Sequence, residues 1–516
     1  NFFKKKNFFL ILVGKNNNNF FNLKNSIQKN IFYTNYLKNN NEIKFLIKNS
    51  NICLFPSLID NFPNIILESF SVGTPVLAFN KFGMREMIVH KKNGYLSKKC
   101  SINSFKEGII KYYKLIDFTI LILPILFILG SPWTNACTIF FSYLFIYFSF
   151  KESNWKWLRN KWVIIFLIFW FYNLINSFFS ADLFGAAKTS FFYIRFLLFS
   201  LLISNYGFNY FKLDKIIKFW FVCLSFVVID LFIQYIFKFN LLGFPSDGAR
   251  YSGVFGDELI VGSFLSRFLP LVVPFIIFYY KDFKNFKNIY LKFGSIFVIL
   301  FFLFNILISG ERTAFIVFFI YLICFHVYIF RKNFISLILV CSLIFSTLLV
   351  SLQTKDVKIR YNEFKSIVLN FDQSSYGKLW YSSYELWKIN LINGVGFKNY
   401  RVECDIKIED KTKNNHPLCS THPHNLYLEL LVETGIIGLI LFTLIFYYFL
   451  REKIPVFFLF KENKEKYLYL SNLIMILIYL WPMITYGSFY TSLNGLYIWL
   501  NISFLNYLSQ NFDKYK

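Results

Sequence analysis

The chain has 516 residues, of which 56% are hydrophobic, 22% aromatic and only 16% charged. A soluble protein carries roughly 25% charged residues, and 71 Phe with 34 Tyr supply more apolar surface than a water-facing fold can hide. An ordinary soluble enzyme and a disordered chain are both excluded. The formal charge of +26 does not point to nucleic acid, because the Lys and Arg fall between long apolar runs and not on one basic face. In that position they read as membrane-flanking charge, and the chain reads as a polytopic membrane protein.

Residues 1–114 alternate like a soluble, partial α/β Rossmann-like domain. The runs 9–14, 51–55 and 75–79 read as short buried strands, and 65–70 carries the 3.6-residue period of a helix. The Asn-rich stretches 16–19 and 39–41 read as loops. The chain opens at Asn1 with no charged-then-apolar leader ahead of this domain, so it reads as beginning inside a longer sequence.

From Leu115 onward the sequence predicts a mainly α membrane domain over 115–516. About twelve apolar segments approach the length needed to cross a ~30 Å hydrocarbon core: 115–130, 134–150, 161–179, 190–204, 216–238, 259–280, 289–309, 313–330, 334–350, 426–449, 468–486 and 489–510. The stretch 351–425 is too long for a simple turn and reads as a folded extramembrane segment. With the first domain cytoplasmic, the short inside loops hold 18 Lys and Arg against 3 in the outside loops. This bias places both termini in the cytoplasm and 351–425 outside. It also puts Arg250, Arg312 and His424 on that same outer face, in loops that separate apolar runs.

Residues 54–96, with Asp60 and Glu68 separated by seven others and a Gly73-Thr74-Pro75 turn, resemble the nucleotide-sugar half of the GT-B retaining glycosyltransferases. The resemblance implies a helix N-terminus near Pro63 aimed at a diphosphate, where free N–H groups and the dipole favour anions, and a ribose-binding Glu68. It covers about 105 residues and lacks an acceptor domain, so Asp60 and Glu68 are read as a vestigial nucleotide-sugar site and 1–114 as inactive alone.

In the membrane part, three motifs stand outside the apolar runs. They are Gly248-Ala249-Arg250-Tyr251, Ser309-Gly310-Glu311-Arg312, and Thr421-His422-Pro423-His424-Asn425, the last followed after nine residues by Gly435-Ile436-Ile437-Gly438. With Asn393-Gly394-Val395-Gly396-Phe397 upstream, they resemble the O-antigen ligase and polymerase superfamily in order and spacing. The resemblance implies a GT-C-like glycosyltransferase of the bacterial inner membrane. Its donor is a glycan on undecaprenyl diphosphate and its acceptor a hydroxyl of lipid A-core or another glycan, with membrane lipids around it and no nucleic acid. No cofactor or metal is implied, because the leaving group arrives already activated. Where many members carry Pro-Asn after the first motif, this chain has Asp257-Glu258, and no role carries over to them.

Arginine forks suit diphosphate oxygens, so Arg250 and Arg312 are expected to hold the donor and stabilise its departing charge. His424 is expected to take the acceptor proton, since an unperturbed imidazole titrates near neutral pH. His422, Asn425 and Arg267 are expected to bind substrate. Each has a structural alternative: Arg312 snorkelling to the interface, His424 and Asn425 merely capping the next helix. Arg195 and Arg267 lie within predicted spans and are weaker candidates, as are Asp230 and Gln234. Cys404 and Cys419 lie near His416, His422 and His424. A disulfide fits an oxidising compartment better than zinc, whose ligand spacing they do not match. The leading reading is a ligase moving a finished glycan onto lipid A-core, with a polymerase, an oligosaccharide transferase onto protein and a transporter of lipid-linked glycans as the alternatives.

Overall fold

The computed structural model describes residues 10–13, 31–34, 37, 39–57, 60–89, 92–97, 114–152, 154–246, 250–281, 289–329, 355–408, 418–485 and 487–512. The chain divides into two compact units: Asn1–Asp117 with Tyr147–Asn154 and Phe208–Phe211, and the remainder.

In the first unit β1 (Leu10–Val13) pairs in parallel with β2 (Ile31–Thr34), and β3 (Cys53–Phe55), β4 (Val76–Phe79) and β5 (Gly94–Ser97) form a second parallel sheet in that order. Between the strands lie α1 (Asn40–Lys48), α2 (Asn64–Ser71) and α3 (Phe82–Met87). All four residues of β4 are buried, as expected of a strand covered on both faces. Its Val76 and Ala78 pack with Ile66, Met84, Ile88 and Leu96 as the core. The reading of 39–41 as a loop is corrected here. Asn39 is the cap of α1, its side chain accepting the Asn41 N–H at 2.9 Å, a use for which Asn is among the preferred residues. The stretch 16–19 lies outside the described residues.

The second unit is helical: α4 (Leu123–Ile128), α5 (Ser131–Lys151), α6 (Lys161–Asn176), α7 (Leu183–Tyr206), α8 (Leu213–Phe237), α9 (Val261–Lys281), α10 (Ile289–Ile308), α11 (Arg312–Ile329), α12 (Lys355–Leu369), α13 (Ser375–Ile389), α14 (Tyr400–Lys407), α15 (Leu426–Leu459), α16 (Lys464–Tyr479) and α17 (Ser492–Gln510). Among the described residues five of these are long and apolar enough to cross a membrane: α6 with the turn after it, α7, α8, α11 and α15. Val261–Ile277 and Ile296–Ile308 are shorter apolar helices. The expected span at 334–350 lies outside the described residues. That at 115–130 is helical over 114–121 and, after a single turn residue, continues as α4; that at 468–486 ends at Tyr479, followed by irregular backbone before α17.

Helices without a hydrophobic drive between them associate by close packing and shared polar contacts, and the aromatic excess serves this. Tyr193 of α7 lies 6.1 Å from Phe169 of α6 and 5.6 Å from Phe397, while Phe489 lies 5.9 Å from both Phe397 and Phe442 of α15. The edge-to-face geometry at three of these four contacts adds to plain area burial. Proline inside α9 is also compensated. Pro274 lacks the N–H that would bond the Pro270 carbonyl, and the hydroxyls of Tyr321 (3.5 Å) and Ser471 donate to that carbonyl instead.

The glycine motifs have a backbone reason. Gly435 has φ +63° and breaks α15 into two helices at a kink. There the loop 391–396 crosses it, with Val395 N–H donating to the Val432 carbonyl and Gly396 N–H to the Glu433 carbonyl, both at 2.8 Å. A Cβ on Gly435 would lie 2.0 Å from the Ile392 carbonyl oxygen, and one on Gly394 2.5 Å from that of Val432. Only glycine on both strands permits this approach. The crossing fastens the loop 391–396 to the helix that follows His424.

Leu386, Val395, Tyr400 and Cys404 pack with Val432 of α15 as one core. Cys404 is disulfide-bonded to Cys419, 15 residues on, with Cα atoms 5.8 Å apart. Two of the residues weighed as zinc ligands are therefore joined to each other, and His416 lies outside the described residues. Closing a loop of this length contributes about 3 kcal/mol on the chain-entropy account. Cys404→Ser should therefore lower the melting temperature of the protein. Alkylation followed by intact mass checks the pairing, and two thiols reactive in the native protein would refute it.

Candidate active site

A cavity of about 310 Å³ opens in the second unit, lined by Arg250, Arg267, Arg312 and His424 together with Glu311, Tyr376, Thr485 and Asn494, among others. Four residues singled out from separate parts of the sequence thus face one space.

Each is placed by local chemistry. Arg250 follows α8 on a loop tied down by that helix. Asp230 accepts the Leu241 N–H at 2.9 Å and the Asn240 side-chain amide at 3.2 Å, and Gln234 accepts the Gly253 N–H at 2.8 Å. Asn240 in turn donates to the Gly253 carbonyl at 2.7 Å. Asp230 and Gln234 therefore anchor the Arg250 loop and do not line the cavity. Arg195 does not line it either; its guanidinium lies 4.9 Å from the Phe196 ring centre. Asp257 and Glu258 are exposed and away from it.

Arg267 lies on α9, where Asn494 of α17 accepts from its guanidinium at 2.7 Å and the Tyr497 ring lies 4.9 Å beneath it. This pairing, with a cation over an aromatic face, holds a charge inside an apolar helix while leaving it turned to the cavity. Arg312 opens α11 and pairs with Glu363 of α12; the two side chains are 26% and 45% exposed.

His424 has φ +57°, one of four non-glycine residues with positive φ among the described residues. A left-handed backbone costs roughly 1–2 kcal/mol in such a residue, and strain of this kind gathers at functional sites. Its ring meets Tyr376 edge-on at 5.8 Å and lies 4.0 Å from the ring of His422. Thr421 Oγ1 lies 2.9 Å from His422 Nδ1. His422 thus backs His424 without lining the cavity. Asn425 is the cap of α15: its side-chain oxygen accepts from the N–H of Tyr427 (3.0 Å) and Leu428 (3.1 Å), and its amide donates to the Pro482 carbonyl at 2.7 Å. Both ends of the Asn425 side chain are thus engaged in the structure, and Asn425 does not line the cavity. A bridge between Asn425 and Thr485, and the 2.7 Å contact of Thr485 with Thr313, join this cap to the turn bearing Arg312.

The motif reading passed over Glu311, Tyr376 and Asn494 as site residues. Glu311 stood beside Arg312, and an Asn in an apolar helix was a readable signal; Tyr376 had none. Burial pushes the Glu311 carboxyl above its ordinary range, against hydrogen bonds from Ser263 and Gly262 and the nearby charge of Arg267.

In the first unit Asp60 accepts the Phe62 N–H at 3.2 Å, and Glu68 is exposed on α2. The cap of α2, Pro63, makes no side-chain cap bond. Among the described residues no group of three or more His, Cys, Asp and Glu is arranged to hold a metal ion.

Fold and cavity together define a membrane protein with a cation-lined site at one end of its helices, preceded by a small parallel α/β unit. Residues 296–443 match the O-Antigen ligase family, a range that includes Arg312 and His424, and residues 3–116 match Glycosyl transferases group 1. A 76-residue stretch is 29% identical to an uncharacterized glycosyltransferase of Haemophilus influenzae, covering 14% of this chain and 22% of that protein. The match thus spans about a fifth of that relative's length.

Proposed function

We propose that the chain is a membrane glycosyltransferase of the ligase type. It transfers a glycan from undecaprenyl diphosphate to a hydroxyl of lipid A-core on the periplasmic face of the bacterial inner membrane. The observation that carries this reading is the gathering of three arginines and His424 around one cavity, with Arg312 and His424 at the starts of membrane-length helices. Three guanidinium groups suit the oxygens of a diphosphate, and the match of 296–443 supports a glycan-transferring role.

In the proposed step the acceptor oxygen forms a bond to the anomeric carbon while the bond from that carbon to the phosphate oxygen breaks. The electron pair leaves with undecaprenyl diphosphate, where Arg250, Arg267 and Arg312 stabilise it. The hydroxyl proton passes to the imidazole of His424 and then to water. Attack opposite the leaving group inverts the anomeric configuration. Domain limits of 1–114 and 115–516 and cytoplasmic termini belong to this reading, supported by the charge bias of the loops. Asp60 and Glu68 have no part in it.

Intact cells lacking the protein test the reading. The expected result is long glycan chains left on the lipid carrier and bare core. Single repeats attached to core would instead mark a polymerase, and donor trapped in the cytoplasm a transporter. Restoring the gene with Asp60→Asn and Glu68→Gln together should rescue fully.

A further inference from the structure

Two of the cavity's three arginines lie on different elements. Arg267 is on α9 and Arg312 opens α11, and Glu311 lies between these elements. One Glu311 oxygen accepts the Gly262 N–H at 2.6 Å, and the other accepts the Ser263 N–H at 3.1 Å and the Ser263 hydroxyl at 2.5 Å. Gly262 and Ser263 are the second and third residues of α9, where helical N–H groups have no partner of their own and a carboxylate is favoured. Glu311 is thus the cap of α9, supplied from 48 to 49 residues away. Arg267 follows Ser263 by four residues and so sits one turn further along the same face, while Arg312 is the residue after Glu311. The approach is close: a Cβ on Gly262 would lie 2.4 Å from Ser309 Oγ and 3.0 Å from Glu311 Oε1.

We infer that Glu311 is a positioning residue: it clamps the turn bearing Arg312 onto the head of α9, so that Arg312 and Arg267 converge on one diphosphate. The inference rests on the transfer reading above. The clamp acts through shape and acceptor placement, so the amide of Gln, which keeps the length and one acceptor, replaces it better than Asp, which keeps the charge but falls one methylene short. Gly262→Ala reaches the same end from the other side, since its methyl group displaces Ser309 and Glu311.

The test is steady-state transfer by purified full-length protein in detergent, with an undecaprenyl-linked glycan as donor. Glu311→Ala, Glu311→Asp and Gly262→Ala should each lower kcat tenfold or more. Donor KM should move less than threefold, and elution and melting temperature should stay near those of the parent. Glu311→Gln should retain more activity than Glu311→Asp. The inference is overturned if Glu311→Ala or Gly262→Ala transfers at the parental rate, or if Asp outperforms Gln, which would mark a role of charge alone. Should Glu311→Ala fail to fold, Gly262→Ala and Ser263→Ala carry the same comparison. His424→Ala and Arg312→Ala run alongside: if they too transfer normally, the transfer reading fails. If they are inactive and the Glu311 and Gly262 variants are not, only the clamp fails.

Discussion

Replacing His424 with alanine should lower glycan transfer by about 10²-fold or more, the usual contribution of a positioned general base, while donor binding and folding stay close to normal. The ring borders the cavity that Arg250, Arg267 and Arg312 share, which is where the proposed step needs a base. Capping of α15 belongs to Asn425, whose side chain holds the Tyr427 and Leu428 N–H groups. Losing the imidazole therefore leaves the helix start intact. Glycine alone would relieve the left-handed backbone at this position; His424→Gly should melt no lower than the parent and still fail to transfer. His422→Ala should be milder, because His422 packs against His424 without lining the cavity. Initial rates of purified variants, with melting curves beside them, decide the matter. Near-parental transfer by His424→Ala would mean another base or another reaction.

How much of this could be read from the chain alone depends on the range of the interaction. Apolar runs and the Lys/Arg bias are summed over many residues, so the helical membrane part and the small α/β part are legible. Arg250, Arg312 and His424 stand outside the apolar runs, where their chemistry is conspicuous, and Cys404 and Cys419 close a short loop. What escaped reading is held by partners far away in sequence. The segment 468–486 looks like a continuous span, yet helix α16 ends at Tyr479, and Pro482 gives its carbonyl to Asn425, 57 residues earlier. Glu311 looks like a solvated neighbour of Arg312, because nothing local reveals that its carboxylate accepts from the first turn of α9. Asp230 and Gln234, four residues apart on one helical face, suggest a buried polar site. Their partners are the backbone of the loop behind Arg250, which periodicity cannot display. Asn39–41 misled in the opposite sense, since Asn serves a loop and a helix cap equally well.

Arg312 should prove the most sensitive of the three cations. Arg312→Ala is expected to lower kcat/KM for the lipid-linked donor by about 10² to 10³, the range found when one preorganised donor to a developing anion is removed. Its position supports this ranking. It heads α11, and Thr313 beside it is joined through Thr485 to the bridge with Asn425, so the guanidinium sits on a braced turn and not on a free loop. Arg312→Lys should recover little, because an ammonium offers a point charge where a planar fork can grip two oxygens at once. Glu363 supplies the internal control. In the structure it pairs with Arg312, and a diphosphate must take its place. A pair this exposed contributes at most about 1 kcal/mol, so Glu363→Gln should lower donor KM no more than about fivefold and leave kcat nearly unchanged. If Arg312 only reached the membrane interface, as a snorkelling side chain does, Arg312→Lys would keep full activity and Glu363→Gln would change nothing. Measuring kcat and KM separately for Arg312→Ala, Arg312→Lys and Glu363→Gln distinguishes a diphosphate ligand from an anchor, since only a ligand gives losses in the first two and a tighter donor in the third.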